Sequence, residues 1–187
     1  MRPTLALIVL GLAGCAAAPA PIQSATRENR ISIYLGQRNL DEDDWEPVEE
    51  QATFGLEFSR ETAGSPVGFE IGLMGSADEA DFGGADVEGT TGELYGGLRK
   101  TFGGDVVRPY VGGGIAFITA EAEISGVGSD DDSSPAGYLH GGIDFDVTDS
   151  FFLGIDLRFL FASDIEIAGF ETDADYVQFA LVLGFVF

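Results

Sequence analysis

The sequence of 187 residues has few of the residues on which disulfides, metal centres and nucleic-acid binding depend. It contains a single cysteine, Cys15, so no disulfide can form within the chain and no cysteine-based metal or catalytic site is available. Lysine and arginine together number 9, against 32 aspartate and glutamate residues, and the formal net charge is −23. Nucleic acid is therefore excluded as a partner, because the electrostatic attraction that dominates such binding would be a repulsion here.

The sequence also has no hydrophobic run of the roughly 20 residues that a membrane-spanning helix requires. The run from Leu5 to Leu12 is shorter, follows the basic Arg2 and precedes small residues, which is the order of a signal peptide. We therefore predict a signal peptide over residues 1–14 and a flexible periplasmic tether over residues 15–29.

Two cleavage sites remain open for this signal peptide. Leu12-Ala13-Gly14-Cys15 is similar to the lipobox of bacterial lipoproteins, which predicts cleavage before Cys15 and lipidation of its thiol. The alternative is cleavage after Ala20, because Ala18-Pro19-Ala20 has the A-x-A form, although Pro21 would then follow the cut.

From Arg30 onward, apolar residues alternate with small or polar ones in eight segments of about ten residues, the length of a tilted membrane-spanning strand. Each segment is bounded by residues that favour turns. The segments are approximately Arg30 to Asn39, Gln51 to Arg60, Pro66 to Ser76, Thr90 to Phe102, Arg108 to Ala120, Pro135 to Val147, Ser150 to Ala162 and Asp175 to Phe187.

The two faces of these segments differ in size as well as polarity. One face is rich in phenylalanine and leucine, and we expect Lys100 to be the only charge on it. The other face carries glycines together with a few charged residues. Eight strands enclose room only for modest side chains, so the glycine-containing face must be inside and the apolar face must meet lipid. The prediction is an all-β, eight-stranded, antiparallel up-and-down transmembrane barrel over residues 30–187.

The connections between segments alternate between short and long. The long ones cover residues 40–50, 77–89, 121–134 and 163–174, and they are rich in aspartate and glutamate and contain no lysine or arginine. Membrane barrels have short periplasmic turns and long external loops, so we expect extracellular acidic loops and periplasmic termini. The runs Asp41–Asp44 and Asp130–Asp132 are interpreted either as a solvated surface or as weak binding sites for divalent cations.

The charged residues of the inner face predict a structural ion network, because unpaired charges in a narrow interior are costly. Hairpin geometry places Glu57 near Glu70, and His140 near Asp156 or Arg158, with Arg158 reaching toward the two glutamates. The predicted network comprises Glu57, Glu70, Glu93, Arg99, His140, Asp156 and Arg158. A catalytic His–Asp pair is the alternative, but no hydroxyl nucleophile matches it. We expect no catalytic residue, no metal and no cofactor.

Two strands carry a resemblance to a known family. Arg108 to Phe117 and Tyr176 to Phe187 resemble strands of the small outer-membrane barrels of the OmpA/OmpX type, over roughly residues 30–187. The resemblance implies a bacterial outer-membrane protein, expected to be a monomer in contact with outer-membrane lipid and lipopolysaccharide. It also implies that Phe185 and Phe187 belong to a C-terminal signal for the barrel assembly machinery.

The function expected from these observations is non-enzymatic, either in envelope structure or in surface interaction through the acidic loops. A membrane-face enzyme acting on lipid A is one alternative, but it would need an outward histidine, and His140 has inward parity. A porin is disfavoured because eight strands leave no channel. A soluble lipocalin-like lipoprotein binding a small apolar ligand would exchange the two faces, and the usual Gly-x-Trp near the first strand is missing.

Overall fold

The computed structural model describes residues 27–62, 64–82, 84–104, 106–167 and 169–187. The predicted signal peptide, Cys15 and most of the tether lie outside the described residues. The elements in chain order are β1 (Arg27–Leu40), α1 (Glu42–Trp45), β2 (Glu50–Thr62), β3 (Gly68–Phe82), β4 (Ala85–Thr101), β5 (Val107–Ile124), β6 (Gly128–Asp146), β7 (Phe151–Phe161), β8 (Asp164–Ile167), β9 (Phe170–Asp173) and β10 (Tyr176–Val186). Among the described residues, none forms a helix long and apolar enough to cross a membrane.

Eight of the strands form a closed barrel in the order β1-β10-β7-β6-β5-β4-β3-β2, and β8 pairs with β9 in a separate hairpin. The barrel closes where β10 meets β1 in an antiparallel ladder that extends from Arg30–Val186 to Leu40–Tyr176. Closure leaves no barrel strand with an unpaired edge, which is the condition for a sheet to cross lipid. The predicted eight-stranded antiparallel barrel is confirmed.

The alternation along β7 shows which face is inside. Leu153, Leu157 and Phe159 point outward and are 41%, 43% and 43% exposed, whereas Asp156 and Arg158 are 1% and 0% exposed. The same alternation holds in the other barrel strands, where most large apolar side chains are exposed on the outer surface and a few, such as Met74, Ile118 and Val182, are buried inside. The prediction of a polar interior and an apolar exterior is confirmed.

Glycines of the inner face make room for rings that lie across the barrel. A Cβ atom at Gly72 would lie 2.4 Å from Cζ of Tyr95, and one at Gly184 would lie 2.1 Å from Cζ of Phe152. Phe152 has the inward parity of its strand and is fully buried, while its neighbour Phe151 points outward. The interior therefore holds a large apolar ring, because a glycine on a neighbouring strand leaves space for it.

Several strands continue past their predicted ends at the acidic end of the barrel. β3 extends to Phe82 and β4 starts at Ala85, while β5 extends to Ile124 and β6 starts at Gly128. The segments predicted as long loops at 77–89 and 121–134 are thus largely paired hairpins. The difference has a physical reason. Beyond the lipid, a hydrogen-bonded ladder can continue between polar residues, so the alternation of apolar and polar residues ends before the strand ends.

One prediction about the outer face is wrong. Arg60 of β2 shares outward parity with Phe58 and Leu56, so Lys100 of β4 is not the only basic residue on that face. Both lie at the end of the barrel where the predicted short turns join β2 to β3 and β4 to β5. At a strand end a long basic side chain can reach the polar edge of the membrane, so the position is tolerated.

The barrel seam provides a test of the packing. We expect Gly36→Ala to destabilise the barrel by about 1–3 kcal/mol, as overpacking typically does. The reason is that the new Cβ would lie 2.0 Å from the backbone oxygen of Phe179 and 2.6 Å from Cα of Ala180. The measurement is unfolding by urea in detergent, in which the heat-modifiable shift in gel migration reports the folded fraction.

The matched control is Gly92→Ala on the outer face, where an added Cβ meets no heavy atom within 4 Å. Equal unfolding midpoints for the two variants would show that the seam is not closely packed at Gly36.

Candidate functional site in the barrel interior

The barrel interior contains a cluster of buried charged side chains that we call the lumen network. Its members are Arg30, Arg38, Arg99, Arg158, Glu57, Glu70, Glu93, Asp144, Asp156 and His140, and each is at most 3% exposed. They come from several strands of the barrel. Each lies at an inward position of its strand, so the fold brings together residues that are far apart in the chain. The network divides into three groups along the barrel axis.

The group nearest the short-turn end is centred on Asp144. Its Oδ2 atom accepts hydrogen bonds from Arg30 Nη1 at 2.6 Å and from Arg99 Nη2 at 3.0 Å. Arg99 also donates from Nη1 to Glu57 Oε1 at 3.0 Å, and the Tyr95 hydroxyl donates to Glu57 Oε2 at 3.0 Å. Two guanidinium groups and two carboxylates thus form a chain across the barrel, in which each charge has a partner of opposite sign.

The middle group is centred on His140. Its Nδ1 atom lies 3.0 Å from Asp156 Oδ2, and its Nε2 atom lies 3.0 Å from Glu70 Oε1. The hydroxyl of Tyr110 donates to Asp156 at 2.7 Å, and that of Tyr138 donates to Glu70 at 2.7 Å. Both ring nitrogens of the imidazole therefore face carboxylate oxygens.

The group nearest the acidic end is centred on Glu93. Its carboxylate binds Arg158, lies 3.3 Å from Arg38 Nη2 and accepts a hydrogen bond of 2.5 Å from the Tyr176 hydroxyl. Arg38 also donates from Nη2 to Gln178 Oε1 at 3.1 Å and hydrogen-bonds Thr91. One carboxylate thereby compensates two guanidinium groups from β1 and β7.

Aromatic rings cover the guanidinium groups of the lumen network. The carbon at the centre of each guanidinium lies over a ring, at 4.8 Å for Arg30 on Phe152, 3.8 Å for Arg38 on Tyr176, 3.6 Å for Arg99 on Tyr110, and 4.0 Å for Arg158 on both Tyr95 and Tyr138. Cation–π contacts are strongest where the cation is desolvated, as it is here. All five tyrosines of the sequence are buried in the interior.

The sequence identified part of this site. Ligand atoms of Glu57, Glu70 and His140 all lie within 4.8 Å of one another, and His140 contacts Asp156, as the hairpin geometry predicted. The prediction that Arg158 reaches toward Glu57 and Glu70 is wrong, because Arg158 binds Glu93. The Tyr176 hydroxyl accepts a hydrogen bond of 3.0 Å from Arg158 Nε and also donates to Glu93, so it holds the guanidinium beside Glu93.

Three members of the lumen network, Arg30, Arg38 and Asp144, are missing from the predicted network. Arg30 stood at the predicted boundary between tether and barrel and was not assigned to the network. Tyr110, Tyr138 and Tyr176 were also missed, although each shares the parity of the inward residues of its strand. That parity was the signal that could have found them.

The cluster of Glu57, Glu70 and His140 has the residue types of a metal site. Its ligand atoms are already engaged, however, since Glu57 accepts from Arg99 and Tyr95 while Glu70 accepts from Tyr138. A cation there would have to displace His140 from Glu70 and would approach the Arg99 guanidinium. The arrangement fits charge pairing better than metal coordination.

The short-turn rim of the interior carries a further ion cluster. Glu28 Oε1 lies 2.6 Å from both Arg30 Nε and Arg108 Nη2, and Arg108 Nη1 lies 3.5 Å from Asp146. Burial raises the pKa of Glu28, but the attraction of Arg30 and the hydrogen bonds from both arginines outweigh it and lower the pKa.

The acidic end is covered by α1 and the β8–β9 hairpin. Trp45, Val48 and Ile165 are buried there, and the Trp45 indole N–H donates to the backbone oxygen of Asp173 at 2.8 Å. The hairpin also docks on β6, since Asp132 accepts a backbone hydrogen bond of 2.8 Å from Glu166. This cover places apolar side chains over the end of the lumen network.

A crevice of about 650 Å³ opens beside this cover, and acidic side chains dominate its lining. The lining residues are Asp44, Asp132, Asp164, Ile165, Glu166, Glu171, Thr172 and Asp173. Backbone hydrogen bonds from Glu166 and Ser133 lower the pKa of Asp132. Desolvation and the neighbouring carboxylates, Asp175 foremost, raise the pKa of Asp173.

Comparisons with known proteins agree with this architecture. The model of the outer membrane protein beta-barrel domain family matches residues 6–187. No curated protein matches the chain significantly.

Solved structures show the same fold. Ail of Yersinia pestis, in complex with the heparin analogue sucrose octasulfate, is similar with a TM-score of 0.63 and 16% identity, over 86% of this chain and 99% of Ail. A major outer membrane protein of Thermus thermophilus gives 0.61 and 13%, over 87% and 100%. Neisserial surface protein A gives 0.60 and 11%, over 88% and 100%. At such identities the similarity concerns the fold alone.

The first prediction for the lumen network concerns Glu93. We expect Glu93→Gln to lower the free energy of unfolding by roughly 3–5 kcal/mol, because it leaves Arg38 and Arg158 buried without a counter-charge. Unfolding in urea is followed by the fluorescence of Trp45, the single tryptophan of the chain. The control is Glu88→Gln, an exposed position on the same strand, with an expected change within about 0.5 kcal/mol. Similar losses in both variants would contradict the pairing.

The second prediction concerns the charge on His140. The lumen network holds five carboxylates and four arginines, and both nitrogens of the histidine face carboxylates, which accept but do not donate when ionised. We expect the imidazolium form in the folded barrel at neutral pH. Because the chain has one histidine, ¹⁵N NMR of histidine-labelled protein reads this state directly. A spectrum with one protonated and one unprotonated ring nitrogen would refute it.

Proposed function

The chain belongs to the outer membrane protein β-barrel family of the bacterial outer membrane, and from this premise we propose that it acts without catalysing a reaction and without conducting solutes. Its role is in envelope structure or surface interaction, through the acidic hairpins at one end. The observation that carries this proposal is the lumen network, which fills the interior with paired charges and stacked rings.

The filled interior argues against a pore. Eight-stranded barrels enclose only enough space for side chains, and here four guanidinium groups and five tyrosines occupy it. Above them, Trp45, Val48 and Ile165 add a buried apolar layer at the acidic end. A solute would have to break ion pairs and displace this layer to pass.

The position of the single histidine argues against an enzyme. His140 is 3% exposed, and both of its nitrogens are occupied by carboxylates, so no substrate in the membrane or in water can reach it. An enzyme acting on lipid A from the membrane face would present such a residue outward, where this chain presents aliphatic and phenylalanine side chains.

The acidic end is the surface through which we propose that the protein meets other molecules outside the cell. The predicted loops there contain no lysine or arginine. Ail was solved with a sulfated heparin analogue, but an acidic surface would repel such a ligand, so we propose no binding of that kind here. Cationic or neutral partners fit this charge, as does a solvated surface. Weak binding of divalent cations at the acidic crevice remains an alternative, and calorimetry with millimolar Ca²⁺ distinguishes the two.

The orientation completes the proposal. We place the short turns and both termini in the periplasm, with the predicted tether of residues 15–29 before the barrel and a lipidated Cys15 as its anchor. The last three residues of that tether, Arg27 to Asn29, already belong to β1. Phe185 and Phe187, which are 57% and 65% exposed at the end of β10, are the proposed signal for the barrel assembly machinery. The protein is proposed to act as a monomer surrounded by outer-membrane lipid and lipopolysaccharide.

A pair of matched cysteine substitutions tests this orientation. Ser129→Cys lies at the acidic end and Ser150→Cys at a short turn, and both serines are exposed. We expect a membrane-impermeant maleimide to label only Ser129→Cys on intact cells, and both variants after lysis. The reverse labelling would overturn the orientation. Conductance of the purified protein in planar bilayers is the companion measurement, and stable channels in the wild-type protein would overturn the proposal of a closed barrel.

A further inference from the structure

The outer face of the barrel carries a basic patch at its short-turn end, which we call the basic edge and define as Arg60 of β2 and Lys100 of β4. Both side chains have outward parity. In the ladders between β2, β3 and β4, Arg60 pairs with Phe69 and Phe69 pairs with Leu98, so Lys100 lies two residues beyond the same row. Strand spacing puts the two Cα atoms about 12 Å apart, close enough for both long side chains to approach one anion between them.

Within the part of the chain that the structure describes, no acidic side chain neutralises the charges of the basic edge. Neither Arg60 nor Lys100 forms an ion pair with another described residue. Lys100 Nζ donates one hydrogen bond of 3.2 Å to the backbone oxygen of Ser65, which holds the ammonium at the rim and leaves further donors free. The nearby Glu61 accepts from Thr101 instead.

An apolar groove begins beside Lys100. It encloses about 310 Å³, and the side chains of Val67, Leu98, Val111 and Leu139 form its walls. Gly113 is its floor, because this glycine pairs with Leu98 on one side and Leu139 on the other, and these leucines are 58% and 56% exposed. The groove is therefore a notch between two projecting leucines that faces the hydrocarbon of the membrane.

We propose that the basic edge and this groove together bind an anionic phospholipid in the membrane leaflet at the short-turn end. The phosphate lies between Arg60 and Lys100, and one acyl chain lies along the notch over Gly113. Charge complementarity selects this occupant: the basic edge attracts phosphate, whereas the acidic hairpins at the other end of the barrel repel it. The inference depends on the barrel lying in a membrane and not on which end faces the periplasm.

Native mass spectrometry of the folded protein, released from mixed micelles containing phosphatidylglycerol and phosphatidylcholine, tests the site. We expect the wild type to retain phosphatidylglycerol preferentially and Arg60→Gln/Lys100→Gln to lose most of that preference, by about fivefold for each charge removed. The exchanged pair Arg60→Lys/Lys100→Arg should retain it. Heat-modifiable migration verifies that each variant is folded before it is measured.

The matched control is Arg108→Gln, which removes one positive charge at the same end from a side chain that faces Glu28 and Asp146 rather than lipid. An equal loss of phosphatidylglycerol in this control would overturn the proposal, because net charge alone would explain the binding. Unchanged retention in the double variant would also overturn it.

Two competition arms separate the other sources of phosphate. Displacement of the retained lipid by millimolar inorganic phosphate would show a site for free anions, and displacement by an equal amount of lipid A would show a site for lipopolysaccharide. Either result would overturn the assignment to a phospholipid. Retention against both competitors supports it.

Discussion

A strand that crosses lipid finds no water for its backbone, so each of its N–H and C=O groups must pair with a neighbouring strand. The ladder between β1 and β10 satisfies this requirement by closing the sheet on itself. Closure with eight strands encloses a narrow interior, and this narrow space determines which side chains can face inward. Side chains facing inward must fit together in a small volume, and those that carry charge must find partners inside it.

The lumen network meets both conditions through contacts between distant parts of the chain. Arg30 of β1 binds Asp144 of β6, and Glu93 of β4 compensates Arg38 and Arg158. Glycines on neighbouring strands leave space for the rings that lie against these guanidinium groups. The same aromatic rings therefore serve both close packing and charge stabilisation, because a ring that fills the space beside a glycine also lies over a guanidinium group. Such a core ties the strands together across the barrel.

Because side chains fill the interior, the surfaces open to other molecules lie at the ends and on the outside of the barrel. At one end, hairpins that extend beyond the membrane region carry carboxylates, with Trp45 and Ile165 buried beneath them. At the other end, Arg60 and Lys100 lie on the outer face. The protein is therefore electrically polarised along its axis, with acidic side chains at one end and basic ones at the other. This separation of charge between the two ends does not require a binding pocket in the barrel interior.

Alternation, glycine content and strand length were enough to predict the eight strands, their antiparallel order and the face that meets lipid, because each is a local pattern with a period of two residues. The same parity placed Glu57, Glu70, His140 and Asp156 inside. Hairpin geometry also predicted the contact of His140 with Asp156, but only the tertiary structure decided which residues touch across the barrel. Arg158 binds Glu93 rather than Glu57, because Tyr176 accepts from Arg158 and donates to Glu93, and these three residues meet only when β4, β7 and β10 lie in one closed barrel. The sequence also did not predict where the long hairpins end. Outside the lipid, polar residues pair in a ladder, so no alternation of apolar and polar residues marks the strand there.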